Sequence, residues 1–208
     1  YLNEQRTGLD FQGMLDSINQ MPSGDVICLH ACCHNPTGVD PTIEQWNQIA
    51  AVCNERNVLP LIDFAYQGFG NGITEDAAAL IPFVQSGKEF IVCSSFSKNF
   101  GLYGERIGAL TIASEDASTA EVTLSHAKLS VRTNYSNPPK HGGAIVSTVL
   151  SDENLRSQWI DEVAQMRNRI NGMRDRFVAA MQQRNAPVDF GFIKAQRGMF
   201  SFSGLNKD

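Results

Sequence analysis

The chain has 208 residues, enough for one sizeable domain or for one domain and part of a second. Hydrophobic residues make up 42% and charged residues 19%, a balance typical of soluble globular proteins. The net charge is -5 and there is no basic run, so nucleic acid is not an expected partner. No apolar stretch approaches the ~20 residues of a membrane span, so a membrane is not expected either.

The start of the chain and its cysteines bear on the compartment. The chain begins with Tyr1 rather than Met, and no signal peptide opens it. The five cysteines are odd in number and mostly lie in apolar runs: 28, 32, 33, 53 and 93. This usage favours reduced thiols in a cytoplasmic protein over a disulfide framework.

The first half of the chain alternates predicted strands and helices. Apolar runs predict strands at residues 25–31, 59–65, 90–93 and 109–113. Helical patterns predict helices at residues 11–18, 43–54 and 76–84. Asp10 and Thr42 are suitable caps for the first two helices. This order predicts an α/β fold in which helices flank a mostly parallel sheet, with ligands bound beyond the carboxyl ends of the strands.

The second half is predicted to be mainly helical, at residues 116–131, at 142–150 and in a long helix capped by Ser151 or Asp152. Apolar residues recur every three or four positions from 155 to 181, a stripe of roughly 45 Å at 1.5 Å per residue. A helix that long suits a connector between two domains, although a packing helix of one domain gives the same pattern. Residues 189–193 and 199–202 predict strands of a second unit.

The loop SSFSKNFGLYGERIG, residues 94–108, follows the third predicted strand and is divided by three glycines. Its lone lysine, Lys98, has serines before it and Arg106 after it. An amine in a partly apolar pocket has a lowered pKa and can attack an aldehyde. The loop therefore suits an anionic cofactor with a carbonyl group, although a surface lysine is the common alternative.

Polar residues also follow the other two strands. Asp63 stands between apolar residues, where a carboxylate is costly unless a cation pairs with it. A protonated pyridine nitrogen would be such a partner, but a lone Asp more often braces the next loop. Tyr66 and Asn35 lie in the loops after the second and first strands. Adjacent strand ends thus supply a carboxylate, a phenol, an amide and an amine.

Two further motifs favour structural interpretations. HACCH invites a zinc site, but adjacent cysteines in an extended segment point to opposite faces, and zinc thiolates are usually two to four residues apart. Core cysteines are therefore preferred, and no metal is expected. Gly68-x-Gly70-x-Gly72 lacks the spacing of a dinucleotide fingerprint and is interpreted as a turn.

Five segments together resemble a known family: HACCHNPTG, DFAYQGFG, SSFSKNFGLYGERIG, RTNYSNPP and RGMFSFSGL. In order and spacing they are similar to the class I aminotransferases, fold type I pyridoxal-phosphate enzymes, and are closest to the aspartate and aromatic branch. The resemblance implies pyridoxal 5'-phosphate as cofactor and transfer of an amino group from aspartate or an aromatic amino acid to a 2-oxo acid such as 2-oxoglutarate. It also implies a homodimer whose active sites are shared across subunits.

The resemblance gives three residues catalytic roles. Lys98 is the Schiff-base lysine and later moves a proton between the substrate Cα and the cofactor. Asp63 pairs with the pyridinium nitrogen, and Tyr66 hydrogen-bonds the phenolic oxygen of the ring.

It gives other residues binding roles. Asn35 contacts the same phenolic oxygen and the substrate, while Ser95 and Arg106 hold the phosphate, for which a guanidinium fork is well suited. His30 would lie near Asp63. Arg132 corresponds to the arginine that reaches into the partner subunit's site to bind a substrate side-chain carboxylate.

The resemblance covers the middle of the family's chain. Residues 1–165 correspond to part of the large cofactor-binding domain and residues 166–208 to the start of an incomplete α+β small domain. Because the family's N-terminal cofactor contacts and its C-terminal substrate arginine have no counterpart, the chain alone is expected to be inactive. A non-catalytic remnant is the alternative. A lyase or decarboxylase on the same fold is another, against which Arg132 and the NPTG loop argue. Arg132 does not distinguish aspartate from aromatic substrates.

Overall fold

The computed structural model describes residues 1–205, so the last residues of the predicted second unit, 206–208, lie outside it. One four-stranded sheet has the order β1-β2-β3-β4. Its strands are β1 Val26–His30, β2 Leu59–Phe64, β3 Phe90–Ser95 and β4 Gly108–Ala113. The first three are parallel and β4 is antiparallel to β3, which confirms the predicted mostly parallel sheet.

Helices flank the sheet and fill the second half of the described chain. The α-helices are α1 Phe11–Asn19, α2 Ile43–Arg56, α3 Ile73–Asp76, α4 Ile81–Ser86, α5 Ala117–Asn134, α6 Lys140–Ser151 and α7 Glu153–Gln183. Short 3-10 helices lie at Ala77–Leu80, Tyr103–Glu105 and Gly191–Ala195. Within residues 1–205, no helix is both long enough and apolar enough to cross a membrane.

Local sequence explains why α2 lies where it does. Thr42 accepts a hydrogen bond from the backbone N–H of Gln45, whose side chain in turn accepts one from the backbone N–H of Thr42. This capping box satisfies two N–H groups that a helix start leaves without partners. Trp46, Ile49 and Cys53, spaced three and four residues apart, are buried against the sheet. The helix predicted at residues 43–54 is thus confirmed and is slightly longer.

The helix predicted at residues 76–84 is wrong as a single element. The structure has α3, a 3-10 turn and α4 in its place. The carboxylate of Asp76 turns back to accept hydrogen bonds from the preceding loop, so it does not serve the helix that follows. Pro82 stands at the start of α4, where a missing N–H costs no hydrogen bond, and it marks a new helix start.

The long helix α7 is confirmed, with 31 residues and Asp152 as its cap. Its apolar stripe is not uniformly buried: Val163 and Val178 are fully buried, whereas Met173 is 52% exposed. Val178 packs with Phe190 and Ile193 in a small cluster separate from the main core of the sheet.

The strands predicted at residues 189–193 and 199–202 are wrong, and the described part of the second unit contains no strand. Asp189 accepts a hydrogen bond from the N–H of Gly191 and starts a 3-10 helix instead. Beyond it, the Gln196 side chain bonds both the N–H and the C=O of Phe202, and Arg174 binds the carbonyl of Phe200. Side chains therefore occupy the backbone groups that a strand ladder would need.

Candidate active site

Three loops meet beyond the carboxyl ends of the parallel strands, at residues 31–40, 65–72 and 96–107. Strand register fixes their relationship. Asp63 in β2 lies between His30 of β1 and Cys93 of β3, so it occupies the centre of this edge. This is the edge at which open α/β sheets bind ligands.

Lys98 projects from the third loop toward the second. Its Nζ lies 4.6 Å from the centre of the Tyr66 ring, within the range of a cation–π contact. Lys98 is half-buried, and its neighbours Ser97 and Asn99 are buried. The structure therefore brings the amine and the phenol together, as the strand-end argument predicts.

Tyr66 connects this amine to the first loop. The side-chain amide of Asn35 donates to the Tyr66 hydroxyl at 3.5 Å. Burial raises the pKa of Tyr66, the charge of Asp63 adds to the rise, and the hydrogen bond from Asn35 opposes it. The phenol is therefore protonated near neutral pH and can donate a hydrogen bond.

Asp63 is half-buried rather than fully buried as the sequence suggested. One of its carboxylate oxygens accepts a hydrogen bond from the N–H of Ala65 at 2.9 Å, which braces the start of the second loop. The bracing role considered from sequence is thus present. It does not use the second oxygen, whose acceptor capacity suits a cationic ring nitrogen.

Ser95 and Arg106 lie on either side of the turn that joins β3 to β4. Ser95 pairs with Gly108 in the strand register, and the backbone N–H of Phe96 bonds the carbonyl of Ile107, so Arg106 lies close to the end of β3. Arg106 has a left-handed φ of 51° and donates to the carbonyl of Tyr103 at 2.9 Å. A hydroxyl and an exposed guanidinium thus stand at one corner of the edge.

The first loop is held in shape by Asp40, a residue that sequence analysis missed. Its carboxylate accepts hydrogen bonds from the N–H groups of Cys33 at 2.7 Å and His34 at 2.9 Å. Burial lowers the pKa of His34 to about 4, so its neutral ring exchanges a hydrogen bond with the Thr37 hydroxyl. An Asp closing the NPTG segment was the available signal.

His30, expected near Asp63, is its register partner across β1 and β2. The ring Nδ1 of His30 accepts a hydrogen bond of 3.5 Å from the backbone N–H of Asn35. It therefore contacts the loop that carries Asn35.

The second loop wraps around Asp76, which is also a residue that sequence analysis missed. The buried carboxylate of Asp76 accepts hydrogen bonds from the N–H groups of Gly68, Gly70, Asn71 and Gly72. Successive N–H groups facing one anion form a backbone nest. The interpretation of the three glycines as a turn rather than a nucleotide fingerprint agrees with this geometry.

Arg132 is not brought to this edge. It lies in the last turn of α5, is exposed, and donates to the Ser136 hydroxyl at 2.6 Å. Its predicted role in a partner subunit's site stays a prediction.

The adjacent thiols of Cys32 and Cys33 do not point to opposite faces, as the sequence argument assumed. Cys33 adopts a left-handed φ of 55°, and both sulfurs lie within 4.8 Å of each other and of a carboxylate oxygen of Asp76. Both side chains are buried in the main core. The hydrogen bond with Cys33 and burial raise the pKa of Cys32 well above its ordinary value, so both act as protonated core thiols.

The donor set at this edge fits a phosphorylated pyridine aldehyde. The Lys98 amine suits the aldehyde and the Asp63 carboxylate suits a protonated ring nitrogen. The Tyr66 hydroxyl and Asn35 amide suit a phenolic oxygen, while the remaining hydroxyl and guanidinium suit a phosphate.

Known proteins share this sequence and fold. A family model for aminotransferase class I and II matches residues 1–208. An aspartate aminotransferase of Escherichia coli is 50% identical over 208 residues, which are 100% of this chain and 52% of that protein. One from Haemophilus influenzae is 52% identical over 205 residues, 99% of this chain and 52% of that protein.

The fold comparison agrees with the sequence comparison. A crystal structure of an aromatic-amino-acid aminotransferase from Burkholderia pseudomallei, covalently bound to pyridoxal phosphate, matches with a TM-score of 0.96 and 49% identity, over 99% of this chain and 51% of that one. The expected fold is therefore confirmed. The chain spans about half the length of the curated relatives it matches. It belongs to the class I and II aminotransferase family.

Proposed function

We propose that this chain is part of a pyridoxal-phosphate-dependent aminotransferase that moves an amino group between aspartate or an aromatic amino acid and a 2-oxo acid. The observation that carries the proposal is the position of Lys98, whose amine lies over Tyr66 beside the central carboxylate of Asp63. The relatives named aspartate aminotransferase and the structure named aromatic-amino-acid aminotransferase support the substrate classes.

The cofactor, when bound, supplies an aldehyde and an electron-withdrawing ring that carry the amino group. Lys98 Nζ binds the aldehyde carbon and, once released, takes a proton from the substrate Cα and returns it. Asp63 holds the proton on the ring nitrogen, because a nearby carboxylate favours the charged pyridinium. Tyr66 and Asn35 donate hydrogen bonds to the phenolic oxygen and orient the ring.

Ser95 and Arg106 anchor the phosphate at the β3–β4 corner. This role requires the Arg106 guanidinium to turn from the Tyr103 carbonyl toward the anion, a charge-assisted hydrogen bond being the stronger of the two. Fixing the phosphate and the ring at separate points leaves the reacting carbon in one orientation, which is the main condition for rapid transfer.

We further propose the division into residues 1–165 of a large domain and 166–208 of a small one. The separate cluster of Val178, Phe190 and Ile193 supports it. A homodimer sharing Arg132 between sites is proposed on the resemblance of RTNYSNPP. A cytoplasmic location is proposed because the five cysteines are free thiols, as in reducing compartments.

The direct test uses a full-length enzyme that contains this chain. Added pyridoxal phosphate should give a new visible absorbance band, and aspartate or phenylalanine with 2-oxoglutarate should yield glutamate. The Lys98→Ala variant should lose the reaction while retaining the fold. Cofactor binding without any transfer would favour a lyase, a decarboxylase or a non-catalytic protein.

A further inference from the structure

The long helix α7 contacts the site loops along one face. Trp159 and Arg167, eight residues apart, donate hydrogen bonds to carbonyls of the third and second loops. Seven residues further, Arg174 binds carbonyls of the 198–201 segment, which lies on Cys33 of the first loop. Intervals of seven and eight residues are about two helical turns, so all three share a face.

Trp159 makes the contact closest to Lys98 in the chain. Its indole Nε1 donates to the backbone carbonyl of Asn99 at 2.7 Å. Its ring stacks on Phe100 with centroids 4.7 Å apart and planes 23° from parallel. One side chain therefore holds both of the residues that follow Lys98, one through a directional hydrogen bond and the other through an aromatic stack.

The turn that carries Lys98 is tied at other points as well. The Lys98 carbonyl accepts the N–H of Gly101, which has a φ of +66°. The Asn99 side chain donates to the Gln67 carbonyl at 3.2 Å and joins the turn to the loop of Tyr66. Asn99 is buried, so its backbone carbonyl depends on the indole N–H in place of water.

We propose that Trp159 is a positioning residue for Lys98: its indole fixes the turn 98–101 on α7 and thereby sets where the amine lies over Tyr66. The inference rests on the proposed function of Lys98 and adds a residue that the sequence motifs did not indicate. Trp159 acts through Asn99 and Phe100. A misplacement of about 1 Å in a reacting group costs roughly a hundredfold in rate, so holding this turn matters to the chemistry.

Simple core packing predicts a different outcome for Trp159→Phe. This substitution keeps an aromatic ring for Phe100 and removes the N–H donor to Asn99. If Trp159 only fills space, the variant is slightly less stable everywhere and its chemistry is unchanged. If the hydrogen bond positions the turn, the defect is local to 98–101.

The chain contains a matched control, because Trp46 is its other tryptophan. Trp46 is buried in the main core with its ring edge toward Phe83, 6.1 Å between centroids. Trp46→Phe therefore applies the same chemical change away from the site. Both variants would be made in a full-length enzyme that contains this chain.

The first measurement is amide hydrogen exchange in the cofactor-free protein. In Trp159→Phe, peptides covering 98–101 should exchange about tenfold faster, whereas in Trp46→Phe they should exchange as in the wild type. Phe100→Leu, which keeps the indole donor, should accelerate exchange less. It replaces Trp159→Phe if that variant does not fold.

The second measurement is kinetic. In Trp159→Phe, kcat should fall about tenfold and KM for the amino acid should stay within about twofold, since the lysine and not the substrate site is displaced. Wild-type exchange at 98–101 together with wild-type kcat would overturn the inference. If the wild type itself fails to transaminate, the proposed function falls, and the exchange measurement still decides whether Trp159 holds the turn.

Discussion

The Nζ atom of Lys98 lies 4.6 Å from the ring centre of Tyr66, although 32 residues separate the two in the chain. The contact exists because β2 and β3 are parallel neighbours whose carboxyl ends deliver their loops to the same edge. A half-buried amine on an aromatic face is partly shielded from water while staying accessible to an aldehyde.

We expect borohydride treatment of the cofactor-loaded full-length enzyme to fix the cofactor covalently on Lys98. Peptide mass mapping would locate the label. Lys88 is a suitable internal control, because its ammonium is paired with Glu115 at 2.7 Å and its side chain is exposed. A label on Lys88 or Lys128 in place of Lys98 would contradict the assignment.

We expect Asp63→Ala to slow proton removal from the substrate by about a hundredfold or more, because the ring nitrogen loses the carboxylate that keeps it protonated. Asp63→Glu keeps the charge and should be less harmful. Single-turnover absorbance measurements would give the rates. Asp116→Ala, which removes only an exposed helix cap, is the control and should react normally. Near-normal turnover in Asp63→Ala would refute the role.

We expect Arg132→Asp to lower turnover of aspartate by orders of magnitude and to retain far more activity toward uncharged side chains. The reason is that only the pair between the guanidinium and the substrate side-chain carboxylate is lost. Steady-state kinetics with aspartate and phenylalanine would measure the ratio. Arg156→Asp, an exposed change at the start of α7, is the control.

Mixing two inactive variants tests the subunit to which Arg132 contributes. Arg132→Asp and Lys98→Ala subunits should together recover some aspartate activity, since one site of the mixed dimer would hold both intact residues. Absence of recovery after proven subunit exchange would place Arg132 in its own subunit's site or outside any site.

We expect the thiol of Cys53 to react slowly with iodoacetamide at pH 8. Burial raises its pKa to about 11 from an ordinary value near 9, so little thiolate is present. Mass spectrometry after timed alkylation would measure the rate, and the urea-unfolded protein, in which all five cysteines should react, is the control. Rapid labelling of Cys53 in the native protein would be inconsistent with this environment.

The same shift has a consequence for stability. Between pH 9 and 11 the unfolded chain releases the Cys53 proton while the native chain keeps it, so this residue's contribution to the unfolding free energy should fall as pH rises. Cys53→Ala should show a shallower fall over that range. The comparison requires urea unfolding at several pH values.

We expect Arg174→Met to lower the unfolding free energy by about 2–4 kcal/mol, because the buried carbonyls of Gly198 and Phe200 lose their donor. Arg174→Lys should cost less, since an ammonium replaces part of the fork. Urea unfolding would measure both. Arg169→Met, an exposed change on the same helix, is the control and should stay within about 0.5 kcal/mol. A loss of similar size in both Met variants would contradict the prediction.

Elements defined by local sequence were predictable. Short apolar runs gave all four strands, and side-chain caps at Asp10, Thr42 and Asp152 marked three helix starts. The segment 76–84 and the end of the described chain were mispredicted for one shared reason. There, Asp76 and Arg174 bind backbone groups of segments that are distant in sequence or precede them, and a local pattern does not record such contacts.

The same distinction applies to the candidate site. Placing Lys98, Asp63 and Tyr66 at one edge required only the rule that parallel strands align their carboxyl ends. Asp40 and Asp76 shape the first and second loops, yet each looks like an ordinary loop acid in the sequence. Arg132 depends on a partner subunit, so no rule about a single sheet locates its target.

The nest around Asp76 sets limits on protein engineering at this site. Its N–H donors all point at one carboxylate, so an inserted residue would leave buried amides without an acceptor, and a side chain at Gly70 would approach the Asp76 carboxylate to 2.5 Å. Directed evolution of substrate range should therefore keep residues 68–72 at fixed length and composition. The exposed turn at residues 86–89 offers a place where added sequence would leave the cofactor loops undisturbed.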